Sequence, residues 1–307
     1  MPQPNEYRFS QYLAAKKSVD DRSLNRHVWD TLAAQLGERS GDALRVLEIG
    51  AGIGTMIERA VERGLFPGPT RLTAIEPDAE NAAAGLARLR QLPQAHDYQR
   101  EPAGKTEVAL NLPGGQLLVD FQTVDLDTFA RTSAGGQFDL VIAHAVLDLL
   151  NIPDALPKIL SLAAEEGLLY LTINFDGATI LEPAIDPALD RQIEELYHQT
   201  MDQRVTNGKP SGDRYTGRHL FWHLRAENAA ILATGSSDWV VCAGPNGYAQ
   251  DEAYFLHFIV HTIAGALDHH SELDPARFAA WIEERHHQIE RGELVYIAHQ
   301  LDILARR

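Results

Sequence analysis

Hydrophobic residues recur along the chain with two periods, one fitting helices and one fitting strands covered on both faces. Residues 5–37 read as helical, with Trp29, Leu32, Ala33 and Leu36 at i, i+3, i+4 and i+7, and Gly37 and Gly41 close the region. LRVLEIG (44–50) is a fully apolar strand, and TMIERAVERG (55–64) a helix ending at Gly64. RLTAIEP (71–77) is a second strand. DAENAAAGLARLRQL (78–92) is an Ala-rich helix that Asp78 caps. A third strand lies in GQLLVDFQTVDL (115–126), with VALNLPGG before it as an extra strand in a hairpin. FDLVIAHAVL (138–147) contains a fourth strand, IPDALPKILSLA (152–163) a helix, and GLLYLTINFDG (167–177) a fifth strand.

Strands alternating with helices predict an α/β fold, a mainly parallel sheet with helices on both faces. After residue 177 the rhythm changes. Helices are expected over 186–204, 218–235, 251–270 and 274–292, a polar loop over 207–217, and strands over 236–244 and 293–304. No linker-like stretch or repeat interrupts the chain, so a single domain over 1–307 is expected. Its parts are an N-terminal helical segment (1–40), a core (41–177) completed by 218–244 and 293–305, and helical insertions at 178–217 and 245–292.

Charge narrows the partners. Formal net charge is -16, from 27 basic and 43 acidic residues, a field that repels nucleic acid and anionic membranes. A small-molecule partner is expected instead. No apolar run approaches the ~20 residues of a membrane span, and the polar start lacks a signal-peptide apolar region. The lone Cys242 suits a reducing compartment, so a cytoplasmic location is expected. In the strand-like run DWVVCAG, Cys242 itself is expected to be buried.

The candidate chemistry begins at VLEIGAGIGT (46–55), where a first strand meets a first helix. Glycines there let a ligand approach the backbone, and the helix start supplies free N–H donors. The glycines fall at 50, 52 and 54, so the spacing is not the dinucleotide G-x-G-x-x-G, and Glu48 would repel a pyrophosphate but attract an ammonium. Glu76 ends the second strand, where a carboxylate accepts from ribose hydroxyls. Asp125, in VDLD (124–127), is placed to accept from an exocyclic adenine amine, with the Leu126 N–H near a ring nitrogen and Asp127 as an alternative cap. His144 ends the fourth strand, at the edge where open α/β sheets bind ligands.

In this order the four segments resemble the motifs of the class I S-adenosylmethionine-dependent methyltransferases, over roughly residues 44–177. The resemblance implies a Rossmann-like fold with a mainly parallel seven-stranded sheet, helical lid insertions, and S-adenosyl-L-methionine as cofactor. It implies that Glu48, Gly50, Ala51, Gly52 and Gly54 line the methionine part, Glu76 and Pro77 the ribose, and Asp125 and Leu126 the adenine, with Ala143 and His144 nearby. The two insertions depart from the family pattern and are read as a lid over the substrate.

Methyl transfer to a hydroxyl or acidic carbon is helped by a base. His144 is the candidate, with Asp148 one turn later to orient it, and O-methylation is preferred over N- or C-methylation. Tyr197, His198, Arg214, Tyr215 and Arg218 are the candidate substrate contacts, either arginine able to hold a carboxylate bidentately. His257 and His261 share a helix face but lack a third ligand, so no metal is expected. Two other readings stay open: an NAD-type oxidoreductase, and a catalytically inactive binding or regulatory protein of the same fold. An apolar insertion would also serve as a homodimer surface.

Overall fold

The computed structural model describes residues 1–39, 42–96, 106–206 and 208–307; Gly41 lies outside them. Two helices open the chain, α1 (Phe9–Ser23) and α2 (Arg26–Gly37). They fill most of the region expected to be helical. The break falls at Asn25, whose side chain accepts from the Val28 N–H and caps α2. The alternation then runs β1 (Leu44–Ile49), α3 (Thr55–Glu62), β2 (Thr70–Ile75), α4 (Ala79–Arg90), β3 (Ala95–His96), β4 (Thr106–Leu112), β5 (Gly115–Gln122), α5 (Leu126–Thr132), β6 (Phe138–His144), α6 (Ile152–Leu162) and β7 (Ala163–Glu182). Asp78 caps α4 as expected, accepting from the Asn81 N–H, and β4 and β5 form the expected antiparallel hairpin.

The later elements are α7 (Pro187–Asp202), the short pair β8 (Val205–Thr206) and β9 (Lys209–Pro210), α8 (Thr216–Ala226), β10 (Ala230–Ser236), β11 (Trp239–Val241), α9 (Glu252–Ala266), α10 (Pro275–Glu290) and β12 (Val295–Arg306). Here the sequence reading needs correction. The helix expected over 218–235 stops at Ala226, and Asn228 at φ +60° turns the chain. AILATGS then forms β10. Its alanines favour a helix, but a place beside β12 decides otherwise. Of the strand expected at 236–244, Ser236 ends β10 and Trp239–Val241 forms β11, and Cys242 just after it is exposed rather than buried.

Among the described residues one sheet of ten strands, rather than seven, runs in the order β10-β12-β7-β6-β1-β2-β5-β4-β3, with β11 also on β12. The pairs among β5, β2, β1, β6 and β7 are parallel, and β12 and the β3–β4 hairpin are antiparallel. Neighbouring residues of each central strand feed opposite cores. Val46, Leu140, Ile142 and Tyr170 pack with α1 to α4, while Leu47, Val141, Ala143 and Leu171 pack with α5, α6 and α8. That is why these strands are apolar throughout.

Two features place the site. From β1 the connections go one way, through α3 to β2, and return on the other side to β6, leaving a crevice at the carboxyl ends of β1 and β6. Ligands of open α/β sheets bind at such a crevice. In addition, β6 ends at His144 opposite Thr172, but β7 continues to Glu182 paired only with β12. The two long strands form an arm above the crevice, and α7 packs against β7 and α9.

The arm bends at Ile173, a β-branched residue at φ +56°, a conformation that strains such side chains. Fully buried Asp302 of β12 holds the bend. It accepts the Ile173 N–H and the Asn25 N–H, both at 2.8 Å. Burial pushes its carboxyl group up to about 6 despite those bonds. Asp302→Ala leaves two buried donors unpaired and is expected to lower stability by about 2–4 kcal/mol in urea unfolding. A loss below about 0.5 kcal/mol would mean the bend does not depend on it.

Candidate active site

The crevice opens into a cavity of about 410 Å³, within the size range of small-molecule sites. Its floor is the β1–α3 turn. Gly50 and Gly52 take φ of +66° and +53°, and a Cβ on Gly50 would lie 2.7 Å from Val146 Cγ2, so glycine is required. The turn's donors are largely spent internally. The Ala51 N–H donates to the Ile75 carbonyl, the Gly54 N–H to the Ala51 carbonyl, and the Gly52 N–H to Glu76 Oε2 at 2.8 Å. The other Glu76 oxygen accepts from the Asp78 N–H at 3.0 Å. Glu76 therefore fixes the glycine turn as well as ending β2.

Among the described residues, Glu48 is the cavity acid without a hydrogen-bond partner; Gln300 Oε1 in the arm is also unpaired. Glu48 is 1% exposed, lines the cavity, and its Oε2 has no hydrogen bond. Burial pushes its carboxyl group up to about 8; Arg59 opposes this and Glu76 adds to it. An uncompensated buried carboxylate is costly, and a ligand cation would relieve that cost. Two acidic side chains, Glu48 and Glu76, beside the turn make a poor seat for a pyrophosphate.

At the end of β6, His144 is buried and held at both nitrogens: Nδ1 lies 2.9 Å from Thr172 Oγ1 and Nε2 3.1 Å from Asp20 Oδ2. An ionised Asp20 only accepts, so the proton belongs on Nε2, and the Thr172 hydroxyl donates to Nδ1. Burial pushes His144 down to about 4, against the pull of Asp20. Asp20 is fully buried on α1, bonded also to Lys16 Nζ at 2.8 Å and Trp239 Nε1 at 2.9 Å. Burial alone would raise it, but Lys16, His144 and Arg59 outweigh that and hold it below the usual carboxylate range. Asp148 lines the cavity from a 3-10 turn, its carboxyl raised by burial and pulled back by Arg204.

Of the residues singled out in the sequence, the cavity gathers Glu48, Gly50, Ala51, Gly52, Glu76, Pro77, His144, Asp148 and Tyr197. Burial raises Tyr197 to about 12. Gly54 instead starts α3 in the left-handed region, and Ala143 is buried within β6. Asp125 is exposed and caps α5 through the Thr128 N–H, so the cap falls to it and not to Asp127; Leu126 is buried in the core under α5. His198 sits behind the cavity wall, 3.0 Å from Thr179 Oγ1. Arg214, Tyr215 and Arg218 do not line the cavity. Arg214 pairs with Glu195 and Asp202, Arg218 pairs with Asp176, and both guanidiniums lie over the Tyr215 ring. Their partners leave neither arginine free to take a substrate carboxylate.

Sequence reasoning missed the contribution of α1, whose Phe9, Tyr12, Leu13 and Lys16 line the cavity, and that of the arm, whose Phe175, Tyr296 and Gln300 do too. Met201, Arg204 and Phe258 complete the wall away from β1. Among the described residues, no group of three His, Cys, Asp or Glu is placed to hold a metal ion, and no helix is long and apolar enough to cross a membrane.

No family model matches the sequence, and no curated protein matches it. Solved structures do match. A Bacillus halodurans protein provisionally described as a methyltransferase has a TM-score of 0.51 at 10% identity, over 91% of this chain and 97% of its own. The chain has the Rossmann-like methyltransferase fold. Two others overlap less closely. One is an Anaeromyxobacter dehalogenans protein provisionally described as a type II methyltransferase (TM-score 0.48, 14% identity, 90% of this chain and 95% of that). The other is a Streptomyces coelicolor geranyl diphosphate C-methyltransferase, solved with Mg2+, geranyl diphosphate and S-adenosyl-L-homocysteine (0.41, 14%, 91% and 77%). At such identities the likeness is one of architecture.

The raised Glu48 carboxyl has a stability consequence. Its value is 4.5 unperturbed and about 8 in the fold, so between those pH values unfolding releases a proton and stability falls as pH rises. Glu48→Gln removes that slope. The ligand-free variant is expected to exceed the parent by about 1–3 kcal/mol at pH 8 in urea unfolding, with little difference at pH 4.5. A variant less stable at pH 8 would show that Glu48 is already paired.

Proposed function

We propose that the protein is an S-adenosylmethionine-dependent methyltransferase acting on a small, largely apolar acceptor. The observation that carries this reading is the unpartnered carboxyl of Glu48, buried at the foot of the crevice beside a bare glycine turn. It fits a nucleoside that presents an ammonium and no phosphate.

Glu48 would receive the ammonium, the Gly50–Gly52 backbone would take the methionine part, and Glu76 and Pro77 would lie at the ribose, with Glu76 keeping the turn in shape. Asp125 and Leu126 stand outside the cavity, on the exposed start of α5, and would reach the adenine from there. When bound, the cofactor supplies an electrophilic methyl on a sulfonium. The chain's own work is to align an acceptor with that methyl and to exclude water. Phe9, Tyr12, Phe258 and Tyr296 surround the acceptor half with apolar surface; α7 and α9, from the two insertions read as a lid, lie over it together with α1 of the N-terminal segment. O-methylation remains the preferred transfer. Because Thr172 and Asp20 hold both His144 nitrogens, its part would be to order the wall, with Asp148 the carboxyl nearer the acceptor.

The test is calorimetric titration of nucleoside-free protein with S-adenosylhomocysteine and, separately, NAD. Micromolar binding of the first alone is expected. Binding of NAD alone would replace the proposal with a hydride-transfer enzyme, and binding of neither would favour an inactive protein of this fold. Glu76→Ala is expected to weaken S-adenosylhomocysteine by about 1–3 kcal/mol. Unchanged affinity would remove Glu76 from the site.

A further inference from the structure

The cavity wall holds a cation that the reading above leaves unused. Lys16 lines the cavity from α1, with its side chain only 7% exposed. Among the described residues its ammonium has one hydrogen-bond partner, Asp20 Oδ2, and it lies 5.3 Å from the Trp239 ring centroid. An ammonium has three donors, so two remain for a ligand in a place poor in water. A buried cation with unspent donors favours an anionic oxygen.

A second, independent observation concerns the base. His144 is the one histidine among the described cavity residues, and Thr172 and Asp20 occupy both its nitrogens. No imidazole lone pair faces the acceptor. An acceptor that arrives already ionised needs none. Asp148 also lines the cavity, and burial shifts it toward its neutral form, which lessens its repulsion of an anion.

We infer that the methyl acceptor is an apolar carboxylic acid whose carboxylate is held by the Lys16 ammonium. This rests on the methyltransferase reading and names its substrate class. The transfer balances without moving a proton. A carboxylate lone pair forms the new O–CH3 bond, the S–CH3 bond breaks, and its electron pair stays on sulfur. The products are a methyl ester and a neutral thioether. An alcohol would need a base to take its proton, and a protonated amine would be repelled by Lys16.

The experiment is calorimetric titration of protein saturated with S-adenosylhomocysteine, using acids matched with their amides: cinnamate and cinnamamide, naphthoate and naphthamide, octanoate and octanamide. At least one acid is expected to bind about tenfold tighter than its amide. Lys16→Met is expected to abolish that preference and Lys16→Arg to keep it. A variant that still binds S-adenosylhomocysteine is folded, which makes the loss local; should Lys16→Met not fold, the wild-type comparison decides alone. Equal binding of acid and amide in every pair, or a preference that survives in a folded Lys16→Met, overturns the inference. Failure of the wild type to bind S-adenosylhomocysteine overturns the methyltransferase reading instead, and shows before any acid is added.

Discussion

At the carboxyl end of β1 the sheet's connections part to opposite sides, and a carboxyl group that no donor among the described residues reaches is buried at that point. Leaving Glu48 unpaired works against folding, and the surroundings do not relieve it. Glu76 adds a second acid nearby, and Arg59, the opposing cation, is bonded through Nε to Asp21, its Nη2 without a hydrogen bond among the described residues. The glycine turn around it has few side chains to offer it. Together these select a ligand by charge: a cation fits, and a phosphate does not.

The rest of the site follows from how that crevice is covered. β7 and β12 outrun the sheet, and the Ile173 bend, held by Asp302, carries their upper parts over the ligand edge. Helix α1 closes the other side and brings a buried network of Lys16, Asp20, His144 and Trp239. Within it every strong acceptor is used, while Lys16, which lines the cavity, has one hydrogen-bond partner among the described residues. The nucleoside half thus carries acid in search of a cation, and the acceptor half a cation in search of an anion.

The local part of this was legible in the chain. A strand that runs into small residues and resumes as a helix specifies its own geometry, so Glu48, Gly50, Gly52, Glu76 and His144 could be placed from sequence. What depends on distant partners could not. Lys16 and Asp20 are four apart on a helix, a spacing that suits a solvated ion pair equally well; only packing against Trp239 and His144 shows them to be interior. Arg214 and Arg218 read as free substrate clamps because their partners, Glu195, Asp202 and Asp176, lie elsewhere in the chain. Asp125 read as a ligand acid, and a helix start uses it as a cap. The alanine-rich β10 obeys its neighbour β12 over its own propensity.

The central claim is that Glu48 waits, protonated, for a ligand ammonium. The most direct measurement is the number of protons released when S-adenosylhomocysteine binds at pH 7, from calorimetry in two buffers of different ionisation enthalpy. Because burial raises Glu48 to about 8 in the free protein, pairing with an ammonium should drive off most of one proton, and Glu48→Gln should abolish that release. Binding with no proton released in the wild type would contradict the claim.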